Sequence, residues 1–424
     1  MENHSKENNS ILDIAVFLIF LLVYELSATI YSLPNNDILR WVVCSLLVLV
    51  DIALSMTTNG GRFILLPREF LYLVYPLFIQ SFWNFEQIGI ALSRSLSFVL
   101  YCMAIASIFH RRYMTSGRIK KMFYVFFAVS ILLILPLNMA AINRTSMGGD
   151  YLGIYNNRNM TTSVMMSIFV MLGIALKLGP ERKKIINIVI IFLMIISVYL
   201  NFLTHSRMAI IGLAVAFFML WYYSSTRKNG LRVIIIGMLA VVTLYFLPSI
   251  GKKFGITSVI RIFSAQVLNG STGFFRNDLW DLFIGLVRQK PLFGWGNNSV
   301  YYNTFVNPQE SNWGVHNSYY VMLIEGGITG TICYALFFFS MFRRCLKDYR
   351  TCMSLGMDKD SILLVRYCFI TCITLGINAF AESFLFSAGN VLSLPFWFSL
   401  IGCRVFLQQK KSELIVREGM GSAT

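Results

Sequence analysis

The chain has 424 residues, of which 56% are hydrophobic and 13% are charged, against about 25% charged residues in a soluble domain. This composition excludes a soluble enzyme. Lys and Arg outnumber Asp and Glu by 36 to 20, a net charge of +16, which in a soluble chain would suggest binding to nucleic acid. The positions of the basic residues assign the excess to membrane topology instead, so no nucleic-acid partner is expected.

The apolar residues lie in uninterrupted runs that are each long enough to cross a hydrocarbon core, which needs about 20 helical residues. We therefore predict an all-α, polytopic membrane protein with about twelve transmembrane helices. The first run, Ile11 to Leu33, is too long and its flank too weakly basic for a cleaved secretory signal. The third run is the weakest, because Arg68 and Glu69 interrupt it. The predicted spans cover residues 11–33, 38–57, 63–82, 87–109, 122–141, 161–178, 185–203, 208–225, 231–250, 316–342, 362–384 and 389–407.

Basic residues are concentrated in alternate connections between these spans. With about twelve spans, all of these connections face one side of the membrane, which the positive-inside rule assigns to the cytoplasm. Both termini are therefore expected in the cytoplasm. The basic connections are 111–121, 182–184, 227–232, 343–350 and the tail 404–411.

Two longer connections, 142–160 and 251–315, lie on the opposite, extracytoplasmic side. The longer one is the expected functional region. In it, Asn277 or Asp278 is placed to cap a helix that continues until Pro291 stops it. This helix is apolar enough to lie at the membrane interface.

Several classes of protein leave motifs that this chain lacks. It contains no GxxxxGK[ST], no GxGxxG after a strand, no HExxH and no kinase motif set, so nothing indicates a nucleotide-driven pump or an intramembrane metalloprotease. The eight cysteines occur without CxxC or Cys/His spacing and are predicted to be reduced packing residues. We expect no cofactor and no metal, and the energy must come from the substrate or from a gradient.

Three polar clusters are predicted at outer ends of helices, at one depth in the membrane. They are Thr204–Arg207 before the eighth span, Phe275–Asp278 in the long loop, and Val315–Ser318 at the start of the tenth span. The Arg guanidinium offers forked donors that match phosphate oxygens. A His at a helix N-terminus tends to be neutral and able to accept a proton. The set suits chemistry on an anionic, lipid-linked substrate.

Each of these residues also has a structural interpretation. Arg207, beside a span end, is placed to extend its charge to the headgroups. Arg276, ahead of an interfacial helix, is placed to bind a lipid phosphate. A single His such as His316 is structural more often than catalytic.

Charged residues also occur within the predicted spans, where they must face the bundle interior or a wet cavity. Arg94 either neutralises Asp51 or Glu25, which would be structural, or lines the substrate cavity. Glu325 and Glu382 are left open in the same way, between structural and catalytic roles.

Six segments, in this order, resemble the superfamily of O-antigen ligases and O-antigen or capsule polymerases. They are Gly153–Asn159, Thr204–Arg207, Arg276–Trp280, Lys290–Gly296, His316–Tyr320 and Glu325–Gly330. Each segment alone is weak, but the ordered set on the correct side of the predicted topology is specific. In the last segment, Gly326 and Gly330 form a small-xxx-small face that permits close approach of another helix.

The resemblance implies a membrane glycosyltransferase of the GT-C fold type in the cytoplasmic membrane, with its active site on the extracytoplasmic side under the long loop. It implies undecaprenyl-diphosphate-linked oligosaccharides as donor and acceptor, and no metal. Membrane lipids and, further, flippase and chain-length regulator proteins are the expected partners.

The resemblance also implies roles for individual residues. Arg207 and Arg276 look like the family's paired Arg that hold the donor diphosphate, and His316 looks like its His near the acceptor. In this reaction His316 assists deprotonation of an acceptor sugar hydroxyl, and the two Arg stabilise the charge on the diphosphate leaving group. The candidate substrate-binding residues are Asn317, Arg158, Asn159, Arg94, Trp280 and Glu325.

The expected activity is that of a polysaccharide polymerase for O-antigen, capsule or exopolysaccharide repeat units. A ligase of the same family, which transfers the finished glycan to a lipid core or protein, is the alternative. A multi-span transporter or lipid-glycan flippase would favour an internal repeat, and none is visible in the sequence. A binding or scaffolding membrane protein is a further alternative.

Overall fold

The protein is built from α-helices, and in the part of the chain that the structure describes there is no strand. Two isolated β-bridges join Thr29 to Tyr155 and Thr145 to Tyr151. The structure is a computed structural model, and it describes residues 2–27, 29–31, 35–58, 66–110, 115–146, 149–177, 184–204, 206–222, 283–302, 317–380, 382–388 and 390–421.

The α-helices follow one another with short connections. They are α1 (Glu2–Ser27), α2 (Asn36–Thr58), α3 (Ile88–His110), α4 (Ser116–Val129), α5 (Leu135–Ala140), α6 (Arg158–Ala175), α7 (Lys184–Leu203), α8 (Arg207–Tyr222), α9 (283–289), α10 (Ser299–Tyr302), α11 (Ser318–Ser354), α12 (Lys359–Asn378) and α13 (Ser393–Gly421). A π-helical turn, Ser130–Ile134, joins α4 to α5 in one continuous rod.

Among the described residues, six helical segments are long and apolar enough to cross a membrane by length and composition. This agrees with the predicted all-α, polytopic membrane protein. The number of about twelve spans stays a prediction, and the predicted span 231–250 lies outside the described residues. The six segments are Phe85–Phe109, Ser116–Ala140, Arg158–Ala175, Lys184–Leu203, Ser318–Ser354 and Lys359–Asn378.

The third predicted span is a series of short 3-10 and π-helical turns from Arg68 to Gln87. Pro76 lies at the start of the π-helical turn, and a proline has no N–H for a regular helical hydrogen bond. Glu69, which weakens the apolar run, is buried and forms an ion pair with Arg344 of α11 at 2.8 Å. The segment thus packs along α11 without being an α-helix.

Polar contacts collect three of the basic connections at one end of the helix bundle, which we call the basic end. Asp358, between α11 and α12, pairs with Lys120 at 3.0 Å and with Lys410 at 2.8 Å. Glu413 accepts a hydrogen bond from the Ser116 N–H at 2.7 Å. The connections before α4 and after α11 and the end of α13 therefore meet.

Helix α6 is the central helix of the described bundle, and all of its residues from 161 to 174 are buried. Its small and hydroxylated residues permit close packing, since Ser197 of α7 donates to the Met165 carbonyl at 2.7 Å. All eight cysteines are free thiols, and seven of them are buried. The predicted role of the cysteines as reduced packing residues therefore fits the structure.

Helix α11 is broken near its start. Its 37 residues are interrupted at Gly327, whose φ of 56° and ψ of −161° are not helical. Beyond the predicted end at residue 342, the helix continues through the basic stretch to Ser354. Its full length of about 55 Å exceeds the roughly 30 Å of a hydrocarbon core, so the last turns reach the basic end.

Candidate active site at the loop end

The end of the bundle opposite the basic end carries residues 141–157, 283–302 and 379–388, and we call it the loop end. The predicted catalytic residues belong to this end by sequence, but His316 and Arg276 lie outside the described residues, as does Trp280. Arg207 is the first residue of α8, and its side chain lies outside the described part. The surrounding segments define the site.

The start of α6 holds two of the predicted substrate-binding residues. The Asn157 side chain caps the helix by accepting from the Asn159 N–H at 2.8 Å. Arg158 forms an ion pair with Asp150 of the preceding loop. Asn159 donates from Nδ2 to the carboxylate of Glu382. The charge of Arg158 is thus partly balanced, while Asn159 connects α6 to the segment after α12.

The loop 141–157 folds on itself and against the end of α7. The Arg144 guanidinium donates to the carbonyls of Gly153 at 3.0 Å and Tyr155 at 2.5 Å. The Tyr151 N–H donates to the Leu203 carbonyl at 3.0 Å. Burial raises the pKa of both tyrosines above their ordinary range, so their hydroxyls stay neutral at physiological pH.

The start of α8 lies beside the start of α6. The hydroxyls of Thr162 and Thr204 are hydrogen-bonded at 2.9 Å, and the Ser206 N–H donates to Thr204 Oγ1 at 3.3 Å. Since Ser206 directly precedes Arg207, these bonds hold the first residue of α8 at the loop end.

The start of α11 is fastened to the segment after α12. Asn317 Oδ1 accepts from the N–H groups of Tyr319 at 2.9 Å and Tyr320 at 3.1 Å and so caps the helix. The Ser318 N–H donates to the Ala379 carbonyl at 2.8 Å. Asn317, predicted to bind substrate, therefore also has a structural function as the helix cap.

The structure brings together Arg94 and Glu325, which lie far apart in the sequence. Arg94 of α3 donates from Nη1 to Asn298 Oδ1 at 3.1 Å, and its charge also attracts the Glu325 carboxylate. Glu325 is buried, and its Oε1 accepts from the Val300 N–H at 3.4 Å. Arg94 itself is exposed. Glu325 thus holds the loop before α10, and Arg94 lies at its exposed edge.

The predicted turn 294–296 packs against the break in α11. The N–H groups of Trp295 and Gly296 donate to the carbonyls of Ile324 at 2.9 Å and Glu325 at 3.0 Å. The Ile328 N–H, past the break, donates to a carbonyl of the same loop at 2.8 Å. The loop thus satisfies backbone groups that the break removes from the helical pattern. Two of the segments that carry the family resemblance are therefore in direct contact.

Two side-chain amides that the sequence interpretation missed hold this loop to the bundle. Gln80 donates from Nε2 to the carbonyls of Phe293 at 3.1 Å and Gly326 at 2.7 Å. Asn297 donates from Nδ2 to Ser95 Oγ at 2.6 Å. The predicted small-xxx-small face receives the Gln80 side chain, because a Cβ on Gly330 would lie 2.6 Å from Gln80 Oε1. The only signal in the sequence was the presence of amides within apolar runs.

The helix predicted to end before Pro291 is present as α9, which ends at residue 289, and its predicted cap lies outside the described residues. A small apolar cluster, separate from the main core, packs α9 against α11 through Phe283, Leu286 and Ile324. The Trp295 indole donates to the Leu286 carbonyl at 3.0 Å. The aromatic residue thus contributes to packing of the loop.

The arrangement suits an anionic ligand. Helices α6, α8 and α11 all begin at the loop end, and helix N-termini carry partial positive charge. Arg94 and Arg158 add cationic groups there, and Asn159 adds an amide that can bind a sugar hydroxyl. Within the described ranges, no group of three or more His, Cys, Asp or Glu is placed to hold a metal ion.

Comparison with known families supports this picture. Residues 189–335 match the family model of O-antigen ligase, and this match confirms the resemblance that the sequence segments predicted. No match is found among curated proteins. Arg94, Arg158 and Asn159 precede the matched region. The candidate residues within it are Arg207, Arg276, Trp280, His316, Asn317 and Glu325.

Proposed function

We propose, on the premise that the chain is similar to O-antigen ligases over residues 189–335, that it is a membrane glycosyltransferase that polymerises polysaccharide repeat units. It transfers an undecaprenyl-diphosphate-linked glycan chain to a sugar hydroxyl of another lipid-linked repeat unit. The reaction occurs at the outer face of the cytoplasmic membrane in a GT-C-type fold. The family match, which spans Arg207, Arg276 and His316, is the observation that carries the proposal.

The proposed reaction is a displacement at the anomeric carbon of the donor. The acceptor oxygen forms a bond to this carbon while the bond from the carbon to the diphosphate oxygen breaks. The hydroxyl proton passes to His316 as general base. The electron pair leaves with undecaprenyl diphosphate, whose charge Arg207 and Arg276 stabilise by forked hydrogen bonds.

The described residues support binding in this proposal. The starts of α6, α8 and α11 provide partial positive charge for the diphosphate. Asn159 and Asn317 are placed at two of these starts and bind sugar hydroxyls of the acceptor. Arg94 lies at the edge of the loop that Glu325 holds and binds the glycan or its phosphate.

A ligase is the second candidate, and the description of the matching family favours it. Both activities use the same donor and the same chemistry, and they differ in the acceptor. A lipid-glycan flippase is the alternative from another class.

The length distribution of lipid-linked glycan in a deletion strain separates these activities. The strain is complemented with the native gene, with His316→Ala, or with His110→Ala as a matched control at the other end of α3. A polymerase is supported if single repeats accumulate on the outer face and only His316→Ala fails to restore long chains. Long lipid-linked chains that never reach their final acceptor would identify a ligase. Repeats trapped on the cytoplasmic face would identify a flippase.

A further inference from the structure

Glu382 joins the starts of two helices at the loop end. It lies in the segment between α12 and α13, outside the region that matches the family model, and it is buried. Its carboxylate accepts a hydrogen bond from Asn159 at the start of α6. Its main-chain carbonyl accepts from Ser318 Oγ at the start of α11, at 2.8 Å. One residue thus contacts both helices that carry predicted substrate-binding amides.

Further hydrogen bonds fix the position of Glu382. Ser318 Oγ also accepts from the Phe384 N–H at 3.0 Å, so two residues of this segment contact one hydroxyl. Asn378, at the end of α12, donates to Ser163 of α6, and the Ser163 hydroxyl donates to the Asn159 carbonyl at 3.0 Å. A buried carboxylate is costly unless it is hydrogen-bonded. A charge retained at such a place therefore has a local role.

The Glu382 carboxylate determines which way the Asn159 amide points. An ionised carboxylate only accepts hydrogen bonds, so the Nδ2 group must face Glu382. The Oδ1 atom then points to the other side, and among the described residues no hydrogen bond occupies it. The Asn159 side chain is partly exposed. The result is an oriented acceptor at the start of α6, beside Arg158.

We propose that Glu382 is a positioning residue that holds Asn159 so that Oδ1 accepts a hydrogen bond from a sugar hydroxyl of the lipid-linked glycan. This role rests on the proposed function. It predicts an effect on substrate binding, because the oriented amide contacts the glycan and not the reacting bond.

The first test is transfer kinetics of the purified full-length protein in lipid nanodiscs, with a lipid-diphosphate-linked repeat unit as substrate. Removing a hydrogen bond to a charged group typically changes affinity by about tenfold or more. We expect Glu382→Ala to raise KM about tenfold and to change kcat less than about threefold. Glu382→Gln keeps an acceptor oxygen and should raise KM by only about threefold.

Two matched variants control for loss of a side chain in this part of the protein. Ser383→Ala alters the neighbour of Glu382, and Glu86→Gln removes an exposed carboxylate at the loop end. Both should keep the native KM. A native KM in Glu382→Ala, or a fall in kcat alone, would overturn the positioning role. If the Ala variant does not fold, the KM of Glu382→Gln decides: a native value overturns the role, and a raised value supports it.

A double-mutant cycle with Asn159→Ala tests whether Glu382 acts through Asn159. The double variant should be no worse than Asn159→Ala alone, because the two changes remove one contact. Effects on KM that multiply independently would contradict the proposal. If the native protein transfers no glycan at all, the proposed function fails instead, so the two failures are distinguishable.

Discussion

The two ends of the helix bundle are held together by different kinds of interaction. At the basic end, Asp348 and Asp358 each form ion pairs with two cationic side chains, at distances from 2.7 to 3.0 Å. At the loop end, the neutral amides of Gln80 and Asn297 bind the loop before α10. One end uses paired charges, and the other uses uncharged side chains and backbone groups.

This difference relates to function. A neutral network keeps its hydrogen bonds whatever the pH, and it does not compete for the cations that an anionic substrate needs. Ion pairs near the surface weaken with salt and contribute little each, but several of them together hold the basic connections at one end. Structural charge and substrate-binding charge are thus separated along the bundle.

The largest expected effect is loss of activity when a loop-end Arg is replaced by Lys. Arg276→Lys should be nearly as damaging as Arg276→Ala, lowering transfer by roughly 100-fold or more, because a point charge cannot replace a fork. Arg343→Lys, an exposed position at the basic end, should have no effect. Glycan length in the complemented strain measures both. Full-length glycan with Arg276→Lys would show that the fork is not needed.

The next largest effect is on stability, at the break in α11. A Cβ on Gly327 would lie 2.5 Å from the Leu292 carbonyl oxygen, and its φ is +56°, so Gly327→Ala should lower the free energy of unfolding by about 3 kcal/mol or more. Gly356 also has a positive φ, of +77°, but faces open space. Gly356→Ala should therefore cost only about 1 kcal/mol. Equal melting temperatures for the two variants would contradict the role of the close contact.

A third prediction compares the two networks directly. Asn297→Ala should cost about 2 kcal/mol, because it leaves buried partners without a donor, and this cost should not change with salt. Asp348→Asn should cost about 1 kcal/mol at low ionic strength and less at 1 M salt, because screening weakens its ion pairs. Thermal unfolding at two salt concentrations measures both. A strong salt dependence of the Asn297→Ala effect would show that the loop end also depends on charge.

The smallest effect is the pH dependence contributed by Asp358. Burial raises the pKa of its carboxyl, but hydrogen bonds from Lys410, Ser361 and Lys120 outweigh this and hold the pKa below its ordinary range. The stabilisation is therefore complete above the ordinary carboxyl pKa of about 3.9 and is lost as the pH falls below it. Because Asp358 is 42% exposed, Asp358→Asn should cost less than about 1 kcal/mol at pH 7.

Melting curves from pH 7 to pH 3 test this prediction, with the exposed Glu418→Gln as a control of equal charge change. The difference between native protein and Asp358→Asn should shrink toward acid pH. A difference that grows toward acid pH would mean that the pKa is raised and not lowered.

The sequence predicted the helices well where apolar runs are long and uninterrupted. It also identified the third run as weak from Arg68 and Glu69, but it could not predict that this segment would use 3-10 and π-helical turns. That outcome depends on Pro76 locally and on the ion pair of Glu69 with Arg344. The partner lies far away in the sequence, so no local pattern reveals it.

The candidate site was predicted in part. The motif residues around α6 and α11 are brought together as the ordered segments suggested, and the break at Gly327 lies within one of these segments. Gln80 and Asn297 were missed, because a single amide in an apolar run has no distinguishing pattern. Glu382 was left undecided between two roles, since its contact with Asn159 exists only when α6 and the segment after α12 are adjacent.

The sequence by itself determined the all-helical class, the membrane character and the family resemblance, because hydrophobic run length and short motifs are local properties of the chain. Only the tertiary structure decided which polar groups satisfy the broken helix, and which carboxylate orients Asn159. Those contacts join residues from distant segments, and a buried hydrogen bond forms only where packing brings both partners within about 3 Å.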